Sequence, residues 1–113
     1  MTGVQTCALP ISVIFQQTKE NNTLRDTLEE AIKQKIDLSF ARLSYSNLDG
    51  LNLSGTNFTS ADFTYSTLKN CDLTNCNFTN TNMSYCNLNG SNLSNTNRTN
   101  IDLRYCDITD AVF

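Results

Sequence analysis

The chain has 113 residues, enough for one domain, and its formal net charge is −3. No histidine is present and only 8 residues are Lys or Arg, so composition argues against a basic nucleic-acid surface and against histidine-based catalysis or zinc binding. No apolar run approaches the roughly 20 residues that cross a bilayer, which predicts a soluble protein.

Residues 1–11 (Met-Thr-Gly-Val-Gln-Thr-Cys-Ala-Leu-Pro-Ile) stand apart from the rest of the chain and contain its only proline, Pro10. They resemble a translated sequencing adapter with a GTG codon read as Met, so the expectation is an assembly artefact and a natural start further upstream. A signal peptide fits less well, because a basic leading segment and a small-residue cleavage site are missing. Residues 12–35 predict a short strand and then a helix. Ser12, Val13, Ile14 and Phe15 open a β-prone run, and a polar turn covers 18–22. Leu24, Leu28, Ala31 and Ile32 then recur at helical spacing, Thr23 and Asp26 are placed as an acidic variant of the capping box, and Glu29 pairs favourably with Lys33. The helix is predicted over about 23–35.

From residue 36 to 113 the chain repeats every five residues. Counting from Leu38, an apolar centre recurs at Leu43, Leu48, Leu53, Phe58, Phe63 and onward to Phe113, with Arg98 as the one charged centre. Two places before each centre sits a small or apolar residue such as Ala41, Ala61, Cys71, Cys76, Cys86 or Cys106. Asn or Asp directly precedes most centres, and Ser or Thr usually comes next after them. Five matches neither the 3.6-residue period of a helix nor the alternation of a strand. Short units that cannot bury their own apolar residue become stable by stacking, as in solenoids. The four tyrosines, Tyr45, Tyr65, Tyr85 and Tyr105, lie twenty residues apart, which on a five-residue unit means four sides per coil. Each ring is then expected to stack on the last at the sheet spacing of roughly 4.8 Å.

Runs such as Ala61-Asp62-Phe63-Thr64-Tyr65 and Cys71-Asp72-Leu73-Thr74-Asn75 resemble the pentapeptide-repeat family, over all of 36–113. The resemblance implies an all-β fold, a right-handed four-sided parallel β-helix of about four coils. The preceding helix then falls where it can cap the first coil, covering unpaired backbone and an open apolar end.

The four cysteines of the repeat occupy inward positions also used by Ala, Ser and Thr, so core filling is the favoured reading. Cys86 and Cys106 share a column, but a rise of roughly 4.8 Å exceeds the usual disulfide Cβ separation of about 3.8 Å. Asn before the centre is depleted in ordinary strands, yet at corners its side chain can bond nearby backbone. The Asn-x-Ser/Thr triplets are by-products of the repeat. Arg98 is expected to snorkel toward the open end of the last coil.

The candidate binding surface is the tyrosine column, Tyr45, Tyr65, Tyr85 and Tyr105, with Arg42 and Arg104 and the acidic or polar Asp62, Asn82 and Asp102 on the same side. Aromatic and Arg side chains are favoured at interfaces. A file of like rings also stabilises the coil, and that structural reading takes precedence. Catalysis is not expected: no nucleophile with a base, no phosphate loop and no metal or cofactor cluster is present. The expected function is a non-enzymatic protein-binding or scaffolding solenoid in a bacterial cytoplasm. The same family resemblance implies one alternative, a DNA mimic that binds type II topoisomerase. Acidity favours it, but the repeat region sets seven Asp against only four basic residues, a net charge of −3, with outer faces mostly Ser, Thr and Asn. A second alternative is an accessory domain of a larger protein. Phe113 falls on a centre, so end-to-end homodimerisation through the last coil is a further expectation. Direct contact with nucleic acid or membrane is not expected.

Overall fold

The computed structural model describes residues 24–113. The adapter-like segment, the strand expected after it and the capping residue Thr23 lie outside the described residues.

The chain enters through helix α1 (Leu24–Lys33). Thr27, Leu28 and Ala31 form its buried stripe, and Leu28 and Ala31 join the same core cluster as Leu38, Leu43 and Leu48. Arg25 ties the exposed flank down, its Nη1 donating to the Asp49 carbonyl at 2.7 Å. Two closing bonds end the helix: Lys35 N–H to Ile32 O (3.0 Å) and Ile36 N–H to Ala31 O (3.0 Å). With Lys35 in the left-handed region (φ 56°), this is a Schellman cap, and Ile36 packs against the core just beyond it. The helix therefore stops two residues short of the predicted 35, because Lys35 has already left helical backbone.

Beyond α1 the backbone advances in five-residue sides. Parallel bridges join residues twenty apart, from Arg42↔Asp62 through Asp62↔Asn82 and Asn82↔Asp102 to Asn92↔Val112. Each is a single-residue bridge rather than part of a longer strand, because three of every five residues are spent on turning. The bonding is nonetheless continuous. Leu43 N–H donates forward to Asp62 O (2.7 Å) while Asp62 N–H donates back to Ala41 O (2.9 Å), and the pattern repeats along the other sides. Residues twenty apart therefore lie directly above one another, as the tyrosine period requires.

Corners are made alike. At most corners the residue two places before a centre donates its N–H to the preceding centre's carbonyl, as Ala61 does to Phe58 (2.9 Å), and the residue between them and nearest the corner takes positive φ. That combination is a type II turn, whose third residue favours Gly or Asn. Gly50, Gly55, Asn70, Asn75, Asn80, Gly90, Asn95 and Asn100 satisfy the preference. A second device braces most sides: the Asn or Asp before the centre accepts from the residue after it. Asn57 Oδ1 takes Thr59 N–H at 3.0 Å and Thr59 Oγ1 at 2.6 Å, and Asn77 does the same for Thr79. Asn is thus bonded to local backbone, as its side chain prefers.

The interior is a column of centres. Phe58 and Phe78 stack at 5.7 Å between ring centroids, and Phe63 meets Phe58 edge-on at 5.0 Å. Each buried centre contributes roughly 1.5–3 kcal/mol.

Arg98 interrupts the column without leaving a bare charge. Its Nη1 donates to Leu93 O (3.1 Å) and Thr96 Oγ1 (2.9 Å), and the guanidinium lies 5.1 Å from the Phe113 ring centroid. Two acceptors and a ring face thus satisfy the half-buried cation in the last coil.

Candidate binding surface along the tyrosine corner

Tyr45, Tyr65, Tyr85 and Tyr105 occupy the turn position of one corner. Successive centroids are 5.0, 4.7 and 4.9 Å apart, with ring planes within 5°, 5° and 13° of parallel. Their spacing matches the coil rise, so the backbone sets it and the rings pack face to face as a consequence. All four have positive φ, between 56° and 62°. The left-handed region costs an L-residue roughly 1–2 kcal/mol, and bulky side chains rarely occupy it. The rings remain wet: Tyr45 and Tyr105 are 76% and 75% exposed, and even the inner pair, Tyr65 and Tyr85, is 49% and 47% exposed.

Beside this file runs the column Arg42, Asp62, Asn82 and Asp102, linked by backbone bridges. Asp62 accepts from Thr64 and Asn82 from Ser84 through both backbone and hydroxyl, so these acceptors are turned toward their own side. Arg104 grips Asp102 with two bonds, Nε to Oδ1 at 3.0 Å and Nη2 to Oδ2 at 2.8 Å. Those bonds hold the Asp102 carboxyl below its usual range and raise the Arg104 guanidinium further. Arg42 and Arg104 stand at opposite axial ends of the face, so the predicted residues share one surface but the arginines do not converge on a point.

Immediately behind the corner lies a column that the sequence pattern marks only as filler: Ser46, Ser66, Cys86 and Cys106. The structure makes its inward groups hydrogen-bond donors. Cys86 Sγ donates to Phe63 O (2.8 Å) and Cys106 Sγ to Met83 O (2.7 Å). Other sides do likewise: Cys71 donates to Leu48 O (3.1 Å), Cys76 to Leu53 O (3.1 Å), Thr81 to Phe58 O (2.8 Å) and Ser91 to Leu68 O. A thiol here supplies a second donor to a turn carbonyl of the coil before, which Ala cannot. The signal was present in the recurrence of Ser, Thr and Cys at one position of the repeat. Burial pushes the Cys71 thiol up from its ordinary value and that of Cys76 to about 11. The neighbouring Cys106 thiol and burial raise Cys86, while Cys86 in turn lowers half-buried Cys106.

Among the described residues, no group of three or more Cys, Asp or Glu side chains gathers to hold a metal ion, and no helix is long and apolar enough to cross a membrane.

The family model for pentapeptide repeats (8 copies) matches residues 36–75 and again 71–110, and the chain belongs to the pentapeptide-repeat family. Members of that family form right-handed four-sided β-helices, in keeping with the twenty-residue bridge spacing. Among solved structures, the chain is similar to the pentapeptide repeat protein Rfr23 from the cyanobacterium Cyanothece 51142, at 28% identity and TM-score 0.67, covering 70% of this chain and 54% of that one. The chain thus spans about half the length of that relative. A pentapeptide repeat protein from the Arabidopsis thaliana thylakoid lumen matches at 24% identity and TM-score 0.31, covering 66% of this chain and 63% of that one. Among curated proteins none matches this chain.

Proposed function

We propose that the chain is a non-enzymatic docking module: a solenoid of about four coils, capped by α1, that holds a protein partner along the tyrosine corner. One observation carries this reading. Four rings are kept in backbone that disfavours them, where Gly or Asn would fit without strain, and they remain exposed. Backbone strain retained at one surface motivates a functional reading. Tyrosine offers a partner large, rigid area at low entropic cost. Mixed charge from Arg42, Asp62 and Arg104 along the edge supplies polar rim contacts. Four free thiols among the described residues suit a reducing cytoplasm.

The test is the paired variant Tyr65→Ser with Tyr85→Ser, used beside the unaltered chain as bait in a lysate. The expected result is loss of bound protein from a variant that is still folded at the capture temperature, its melting lowered only by the lost ring stacking. A variant that melts earlier but captures the same proteins would assign the file to coil stability alone. The cap has its own check: Leu28→Asp with Ile32→Asp is expected to aggregate, and unaltered solubility and melting would refute it.

The topoisomerase-mimic reading draws less support. Asp37, Asp62, Asp72 and Asp107 fall on four different sides, so no face carries the continuous negative charge of a duplex groove wall. Unchanged gyrase supercoiling in the presence of the protein is expected. The end-to-end homodimer would use the coil bearing exposed Ile108, Val112 and Phe113, and sizing in solution distinguishes it from a monomer.

A further inference from the structure

We propose that Cys86 and Cys106 form a two-coordinate site for a soft closed-shell cation of the copper(I) class, held in line between thiolates on successive coils. The site is separate from the tyrosine surface and does not rest on its function.

Equivalence fixes the geometry. Both residues stand two places before a centre in the same column, and both thiols bond the centre carbonyl 23 residues back, at 2.8 and 2.7 Å. The acceptors, Phe63 O and Met83 O, are themselves one coil apart. With equivalent bonds one coil apart, the two sulfurs are displaced by about one coil rise, the sheet spacing of roughly 4.8 Å. A disulfide wants Cβ atoms about 3.8 Å apart and sulfurs bonded at about 2.0 Å, so this rise is too long for one. A metal–thiolate bond is about 2.3 Å, so two in line span roughly 4.6 Å. The rise fits a linear S–metal–S unit and not an S–S bond.

Ligand chemistry narrows the cation. Thiolates select soft ions such as copper(I). Zinc requires four ligands, and no third Cys, Asp or Glu gathers with the pair among the described residues. The other inward thiols have no such mate: the residues one coil either side of Cys71 are Leu51 and Ser91, and those of Cys76 are Thr56 and Thr96. Cys86 is buried and Cys106 is half-buried, which leaves an approach through Cys106.

Loading balances simply. Each thiol releases its proton to solvent and gives a sulfur electron pair to the ion, with no change of oxidation state. A monovalent cation then sits in a complex of net charge −1. Withdrawing the two S–H donors orphans neither carbonyl, because Phe63 O keeps the Ser66 N–H (3.0 Å) and Ser66 hydroxyl, and Met83 O keeps the Cys86 N–H (3.2 Å). The coil does not have to unfold to accept the ion.

The experiment adds copper(I) anaerobically to the reduced full chain against a chromophoric copper(I) chelator, with X-ray absorption on the loaded protein. One tightly held ion per chain with two sulfur neighbours is expected. Cys86→Ser and Cys106→Ser should each cost more than the roughly 10–100-fold that loss of a mere supporting partner costs. Cys7→Ser, Cys71→Ser and Cys76→Ser should leave affinity unchanged. Serine already occupies this column at positions 46 and 66, so the variants are expected to fold, which melting verifies, and Cys106→Ala provides a second route. Affinity insensitive to Cys86 and Cys106 would overturn the proposal. So would quantitative Cys86–Cys106 disulfide formation by a mild thiol oxidant with melting unchanged, since the sulfurs would then close without distortion.

Discussion

Two adjacent corners of the solenoid share a backbone and differ in everything placed on it. One carries Tyr45, Tyr65, Tyr85 and Tyr105 at φ between 56° and 62°; the next carries Gly50, Asn70, Gly90 and Asp110 at φ between 58° and 77°. The second is the composition a type II turn asks for. Its members even fit one another, because a Cβ added to Gly90 would run into the Asn70 side-chain oxygen. The first puts the bulkiest side chains at the positions least suited to them. A chain that can make unstrained corners and makes one of them from tyrosine shows that turn geometry alone does not choose the residue.

The largest expected effect lies in the core beneath both corners. Phe63, on the tyrosine side, touches Phe58 and Phe78, while Leu68 is the buried centre of the next side. Phe63→Ala is expected to cost roughly 3–5 kcal/mol and Leu68→Ala roughly 2–5 kcal/mol, read from denaturant unfolding. If Phe63→Ala proved much milder than Leu68→Ala, the ring file would be holding its side together independently of the core.

The period of five, the four sides and the tyrosine file were legible in the sequence because side-chain repetition reports directly which residues share a column. The left-handed corner was legible only in retrospect. Gly and Asn recur there, yet Tyr, Ser, Phe and Asp occupy equivalent positions, and identity at any one of them does not fix φ. The thiol bonds were hidden for another reason. Cys, Ser, Thr and Ala are close in volume, so a pattern read as small and inward does not distinguish a donor from a filler. The partners of Arg98, Leu93 O and Phe113, were not legible because the coil's closure brings them close.

A second test uses pH to separate the thiols behind the two kinds of corner. Cys71 and Cys76 come directly after Asn70 and Asn75, and burial raises both, Cys76 to about 11 from an ordinary 9.0. A folded-state pKa above the unfolded value means the native chain holds its proton longer. The associated stability is fully present below pH 9.0 and is lost as pH rises toward 11, on the order of 2 kcal/mol for Cys76. Behind Tyr85 and Tyr105 the two thiols oppose each other: Cys86 is raised, while the lowered pKa of Cys106 contributes stability that is lost as pH falls through the folded value. Melting followed upward from pH 8 should therefore decline, and Cys76→Ala should flatten the decline more than Cys106→Ala. Equal slopes in the two variants would remove the distinction.

A third, smaller effect addresses the strain itself. Tyr65 stacks on both Tyr45 and Tyr85, and an aromatic pair is worth about 0.5–1.5 kcal/mol beyond its buried area. Tyr65→Gly forfeits two such contacts while relieving roughly 1–2 kcal/mol of left-handed strain. The balance should be a loss near 1 kcal/mol, whereas Asn70→Gly should be close to neutral because Asn tolerates the region. A Tyr65→Gly chain more stable than the parent would show that stacking does not offset the strain.

Lys35 gives the smallest and cleanest version of the same question. It closes α1 at φ 56°, the same backbone region as the tyrosines, with its N–H held by Ile32 O. It has no column of its own kind: the residues twenty and forty places on are Gly55 and Asn75, which suit the turn by themselves. Glycine is the usual residue at this helix position, so Lys35→Gly removes steric cost at a site where no ring stack is lost. The expected gain is about 0.5–1 kcal/mol, offset in part by the greater freedom of glycine in the unfolded chain. Set beside Tyr65→Gly, it isolates what left-handed backbone costs this fold from what stacking returns. A destabilised Lys35→Gly would mean the strain at both sites had been overestimated, and the exposed tyrosines would then need no compensating contact.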